Sequence, residues 1–240
     1  MTTTSITVTE TPRIRRLLTL ADDALILGHR ISEWTGHAPL LEEELALANI
    51  ALDLIGQARA LFTEAGNESG HTEDQLAFLR DPHQFRNALI IELPNGDFAY
   101  TIVRLLLVSA ASDLFWQATL ASSDPALAAI AAKAGKETAY HLRHAAEWLI
   151  RIGDGTDESH RRAQAALDSL WPYTGELFET GAEREAWNAV VTPVLHQATL
   201  QRPGDGWMQA GGRSGRHTEH LGHLLAEMQV LPRTYPGAIW

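Results

Sequence analysis

The sequence predicts an all-α fold, and three observations carry that expectation. Apolar residues recur at helical spacing along almost the whole chain. No stretch keeps up a two-residue alternation between hairpin turns. Thr11-Pro12 and Asp124-Pro125 are helix starts, each a capping side chain followed by a proline whose missing N–H costs nothing there.

The first helix opens at Thr11-Pro12 and runs to about Trp34, with Ile14, Leu17, Ala21, Ala24, Gly28, Ile31 and Trp34 forming a stripe for a neighbouring helix. After a break at residues 35–39, Glu42, Glu43 and Glu44 sit where a helix N-terminus favours negative charge. Leu45 to Ile55 is apolar nearly all the way round, so the second helix is expected to be enclosed by protein. At about 22–26 residues each, these two helices span on the order of 35 Å, and the short connection makes them antiparallel neighbours. Residues 66–95, broken at Gly66, Gly70, Pro82 and Pro94, read as a crossover with one or two short helices. A third long helix starts near Asp97 and ends about Ser122; a fourth runs from Asp124-Pro125 to the stop at Gly153-Asp154-Gly155. Two long hairpins joined by a crossover make a ferritin-like four-helix bundle, with the segments near 157–170, 181–200 and 217–231 as peripheral helices. Residues 1–11 are expected to be a flexible N-terminal segment and 12–240 a single domain.

Composition removes several function classes. With no cysteine among 240 residues there are no disulfides, thiolate nucleophiles or Cys-ligated metals. A net charge of −11 opposes nucleic acid and anionic membranes as partners. The Thr-rich start has no apolar core of a signal peptide, and no run approaches the roughly 18 apolar residues of a membrane span. The expected location is the cytoplasm.

A ferritin-like bundle that works as an oxidase holds two metal ions, using a Glu on each of two helices and Glu-x-x-His on the other two. That spacing occurs once in this sequence, as Glu68 and His71, beside Gly66 and Gly70 in the crossover rather than the bundle. On the second helix Asn49, Asp53 and Gln57 form a polar line; on the fourth, Glu137, His141, His144 and Glu147 recur. Either these are hydrogen-bonded polar groups within a bundle, or Asp53, Glu137, His141 and His144 bind metal. His217, His220 and His223, with Glu219 among them, drift about 120° round a straight helix and read as surface or interface residues. The preceding Gly211-Gly212-Arg213-Ser214-Gly215-Arg216 is a flexible basic loop entering a helix, a place where a phosphate can bind although no P-loop ending follows. Ser214 lies outside any nucleophile elbow, and Gly153 with Gly155 is not a dinucleotide fingerprint. The tryptophans at 34, 116, 148, 171, 187, 207 and 240 read as core and interface anchors.

The run from Gly28 through His37-Ala38-Pro39 and on from Asn49 to Arg59 resembles the C subunits of bacterial phenylacetyl-CoA epoxidases. So do Pro94 to Ala99, Lys136-Glu137 through Arg143, Gly153 to Asp157, and His217 to Gly222 through Gln229. The likeness covers about Leu18 to Trp240 and is poorest in the first dozen residues and near 180–185. It implies a non-catalytic structural subunit of an NADPH- and O2-dependent epoxidase acting on phenylacetyl-CoA. In that picture the di-iron centre lies on a sister ferritin-like A subunit, and a reductase carries FAD and a [2Fe-2S] cluster. This chain would carry no cofactor and no catalytic residue, and would assemble with the A subunit, the reductase and other epoxidase subunits. The metal-ligand slots of the catalytic sister fall on Ala24, Leu54, Gln57, Thr138 and His141. That set leaves one histidine and no carboxylate. Arg213 and Arg216 are expected to contact a CoA phosphate. The rivals are an autonomous di-metal oxidase and a helical binding module for an unrelated protein.

Overall fold

A computed structural model describes residues 5–236 and 238. The helices are α1 (Pro12–Ser32), α2 (Leu41–Ser69), α3 (Glu73–Phe78), α4 (Leu89–Glu92), α5 (Phe98–Thr119), α6 (Pro125–Gly153), α7 (Asp157–Leu170), α8 (Arg184–Gln197) and α9 (Glu219–Thr234). No strand occurs among the described residues. α1 lies along α2, α5 lies along α6, and α2 meets α6, which is the ferritin-like pairing of two hairpins across the α3–α4 crossover. α7 and α8 cover α5 and α6, and α9 lies against the crossover.

The starts are made as the sequence dictates. The side chains of Thr11, Asp97 and Asp124 accept from Ile14 N, Tyr100 N and Leu127 N, satisfying amides that have no partner inside the helix. α2 ends later than expected, passing through Gly66 and stopping at Gly70, whose φ of 77° only glycine adopts without strain.

The enclosed helix is α5, not α2. α5 is buried along nearly its whole length because α6, α7 and α8 surround it. α2 buries one side against α1 and another against α6, leaving Leu41, Leu45 and Leu52 at 69%, 58% and 66% exposure. Apolarity all round therefore reports two different things in the two helices. Both are long and apolar enough to cross a membrane by length and composition; α5 fills the protein core instead.

Residues 5–11 are held down rather than flexible. Ile6 N donates to Leu79 O at 3.0 Å, Ser5 Oγ donates to Asp81, and Glu10 pairs with Arg86 at 2.8 Å. Residues 1–4 of the expected flexible segment, and Trp240, lie outside the described residues.

Candidate functional site at the bundle core

Ala24 on α1 and Leu54 and Gln57 on α2 converge on one cavity of about 50 Å³. Its wall is chiefly carbon, from side chains such as Leu20, Leu27, Val108 and Phe115. Thr138 and His141 are buried on α6 but are not part of this wall. The structure thus brings together three of the five ligand-slot positions.

The polar residues of α2 and α6 meet as separate pairs. His141 Nε2 lies 3.1 Å from Asp53 Oδ2, and Gln57 Nε2 donates to Glu137 Oε2 at 3.0 Å. Burial holds His141 below the ordinary histidine pKa, against the pull of Asp53 and Glu137. The imidazole is therefore neutral near pH 7, with its Nε2–H donating to Asp53. Burial also lowers His144, whose Nε2 is 3.2 Å from Glu43 Oε2 without hydrogen-bond geometry. Asn49 instead donates to Leu45 O of its own helix, and Glu147 is exposed.

These residues do not fit a di-iron centre, which needs carboxylates and imidazoles aimed at common points between the helices. Ala24 and Leu54, where the resemblance sets two of the ligand slots, offer the cavity only a methyl and an isobutyl group. The one carboxylate on the cavity wall, Asp23, accepts from Ala88 N at 2.9 Å and from Arg213 at 2.8 Å. Among the described residues, no three His, Asp or Glu side chains are grouped so as to hold a metal ion. Glu68 and His71 do not form a half-site either: Glu68 is exposed on α2 and bonded to Thr11 and Arg13, while His71 approaches Ser69.

The glycine-rich loop is packed in place, not flexible, and Arg213 is not available to a phosphate. A Cβ on Gly212 would lie 2.2 Å from Asn87 O, and one on Gly215 would lie 2.1 Å from His83 O, so glycine is what lets this loop press on the crossover. The Arg213 guanidinium is buried against Asp23 and donates to Arg86 O at 2.9 Å. Arg216 is exposed, so the two arginines do not form a joint anion site. His217 is likewise internal rather than a surface residue. Its Nδ1 lies 2.7 Å from Glu92 and its Nε2 lies 3.1 Å from Phe85 O. Burial works against the charged ring, but the hydrogen bond and charge of Glu92 outweigh it and raise the His217 pKa. His223 is exposed, and Trp207, at 75% exposure, anchors no core.

Sequence reasoning missed three buried carboxylates, Asp22, Glu92 and Glu176, and the half-buried Asp23, which tie the crossover to α1 and to the segments after α7. Asp22 pairs with Arg80 inside the protein and accepts from Arg86 N at 2.8 Å. Asp23 joins α1 to Arg213 of the glycine loop. Glu176 accepts from Leu89 N and Gly211 N at 2.8 and 2.9 Å. Glu92 accepts from Thr218 N and Oγ1 at 2.6 and 2.8 Å, at the start of α9. The signal in the sequence was Asp22-Asp23 inside the apolar stripe of the first helix and Glu92 directly after Leu89-Ile90-Ile91.

A family model described as phenylacetic acid catabolic protein matches residues 1–240. Among curated relatives, the C subunit of the 1,2-phenylacetyl-CoA epoxidase of Escherichia coli (strain K12) is 46% identical over 240 residues, spanning 93% of this chain and 97% of the relative.

Proposed function

We propose, from the premise that the chain belongs to the phenylacetic acid catabolic protein family, that it is the non-catalytic structural subunit of a multicomponent phenylacetyl-CoA 1,2-epoxidase. The observation that carries this reading is the cavity at Ala24, Leu54 and Gln57, where a bundle built for oxygen chemistry would place carboxylates. With side chains that cannot take a metal there, the chain's contribution is its shape and its surface. In this reading the catalytic A subunit holds the di-iron centre, the reductase supplies electrons from NADPH through FAD and a [2Fe-2S] cluster, and phenylacetyl-CoA is bound by the assembly in the cytoplasm.

Two measurements test it together. The purified chain, loaded with Fe(II) and desalted, should retain far less than one iron per chain, and it should co-purify with a catalytic A subunit and raise that subunit's epoxidation rate. Near-stoichiometric iron would instead favour an autonomous di-metal oxidase built on Asp53, Glu137, His141 and His144. Failure to co-purify with the A subunit, or no effect on its rate, would overturn the structural-subunit reading.

A further inference from the structure

The outer face of α2 is divided into a protruding half and a recessed half. Leu41, Leu45 and Leu52 stand out from it, more than half exposed, on a helix with the hydropathy of a core element. Apolar side chains massed on one exposed face mark a contact surface rather than scattered surface residues. Further along the same helix, Gly56, Gln57 and Ala60, with Ile130, Lys133 and Glu137 of α6, line a groove of about 260 Å³. A Cβ on Gly56 would meet nothing closer than Lys133 Nζ at 4.0 Å, so the groove is open at its floor.

Charge is divided the same way. Glu42 and Glu44 stand at the leucine end, and Arg59, Lys133 and Lys136 at the groove end. Arg59 and Lys133 each have an acidic neighbour, Glu73 at 2.8 Å and Glu137 at 3.4 Å, but both cations are mostly solvent-exposed and those pairs are weak. Protrusion with negative charge at one end, and recess with positive charge at the other, is self-complementary under a two-fold rotation.

We infer that this face binds a second copy of the same chain, with the two α2 helices antiparallel about an axis between Ile50 and Ala51. This arrangement sets Leu41 against Arg59 of the other copy and Glu42 against Ala60, beside the groove that Lys133 lines, with Leu45 against Gly56 and Asn49 level with Leu52. Leu45 and Gly56 are eleven residues apart, about 16 Å along a helix. Each copy's leucines therefore reach the other's groove. The inference concerns the chain alone and does not depend on its role in an epoxidase.

The test is oligomeric state by analytical ultracentrifugation over a concentration series of the full chain. The chain should be a reversible dimer, and Leu45→Glu should weaken it by about tenfold or more, since a charge would enter a desolvated apolar contact. Reversing Glu42 and Glu44 to Lys, or Arg59 and Lys133 to Glu, should weaken the dimer, and combining the two reversals should restore it. Because the chain has no cysteine, Asn49→Cys should couple two chains through a short bismaleimide, whereas Asn67→Cys should not. These exposed substitutions leave the core untouched, and circular dichroism of each variant checks that it folds. A chain that stays monomeric at its solubility limit, or a dimer indifferent to Leu45→Glu, would overturn the inference. So would a monomer whose Leu52→Glu variant loses a sister chain instead.

Discussion

At the scale of the residue, stability is concentrated in a few buried charges. Asp22 and Arg80 are both wholly buried, and neither can lose its partner cheaply. Asp22→Asn should therefore cost about 3–5 kcal/mol in urea unfolding, because Arg80 keeps its charge without the carboxylate. Replacing both, as Asp22→Leu with Arg80→Met, should cost less than that single change, the residual loss being the unsatisfied amide of Arg86. Histidines give stability two opposed pH dependences. His141 and His144 have folded pKa values below the ordinary 6.5, so between the two values the unfolded chain binds more protons. Their contribution is complete above the ordinary value and is lost as pH falls through the folded one. His217, raised by Glu92, contributes fully below its ordinary value of 6.5 and loses that contribution as pH rises through its folded pKa. His141→Gln should flatten the acid limb of a plot of unfolding free energy against pH, and His217→Gln the alkaline one. The histidines were visible in the sequence as candidates, but their protonation states were not. An isolated Asp or His in a helix reads the same whether it meets water or a partner such as Arg80, 58 residues away in the chain.

At the scale of the element, most of the fold was legible because helix ends are local chemistry. Thr11, Asp97 and Asp124 cap the helices whose starts they mark in the sequence. Asp124→Ala should cost about 1–2 kcal/mol by thermal or urea unfolding, since the cap also accepts from Arg13 at 2.7 Å. What stayed hidden is which side of an element faces which neighbour. The apolar α2 and α5 are alike in their most apolar stretches, yet only α5 is enclosed, because helices from the second half of the chain arrive to cover it. The glycine loop was hidden for the same reason. Its glycines read as mobility or as a phosphate cradle, while their use is contact with backbone at residues 83 and 87. Gly212→Ala should destabilise by about 1–3 kcal/mol, the range for forcing a methyl into a filled site, and differential scanning calorimetry measures it.

At the scale of the whole molecule, the cavity at Ala24 and Leu54 decides what rebuilding would require. Thr138→Glu alone should lower the melting temperature, because it puts a carboxylate at a position only 2% exposed, and should add no retained iron by metal analysis after Fe(II) loading. Retained iron in that single variant would mean that the α2 and α6 pairs can be recruited to a metal. That Ala24, Leu54 and Gln57 sit on the first and second helices was legible, and they line one cavity; the commitment of Asp23 to Arg213 was not legible, since that contact spans 190 residues. The same span bears on how the chain is made. At about 5–20 residues per second, a ribosome delivers Arg213 roughly 10–40 s after Asp23. During that interval both helical hairpins have been synthesised while α1 still carries an acid awaiting its counter-ion. Assembly of the nascent polypeptide can therefore be completed only once the glycine loop has been delivered, which makes that loop the closing clasp of the molecule rather than an appendage.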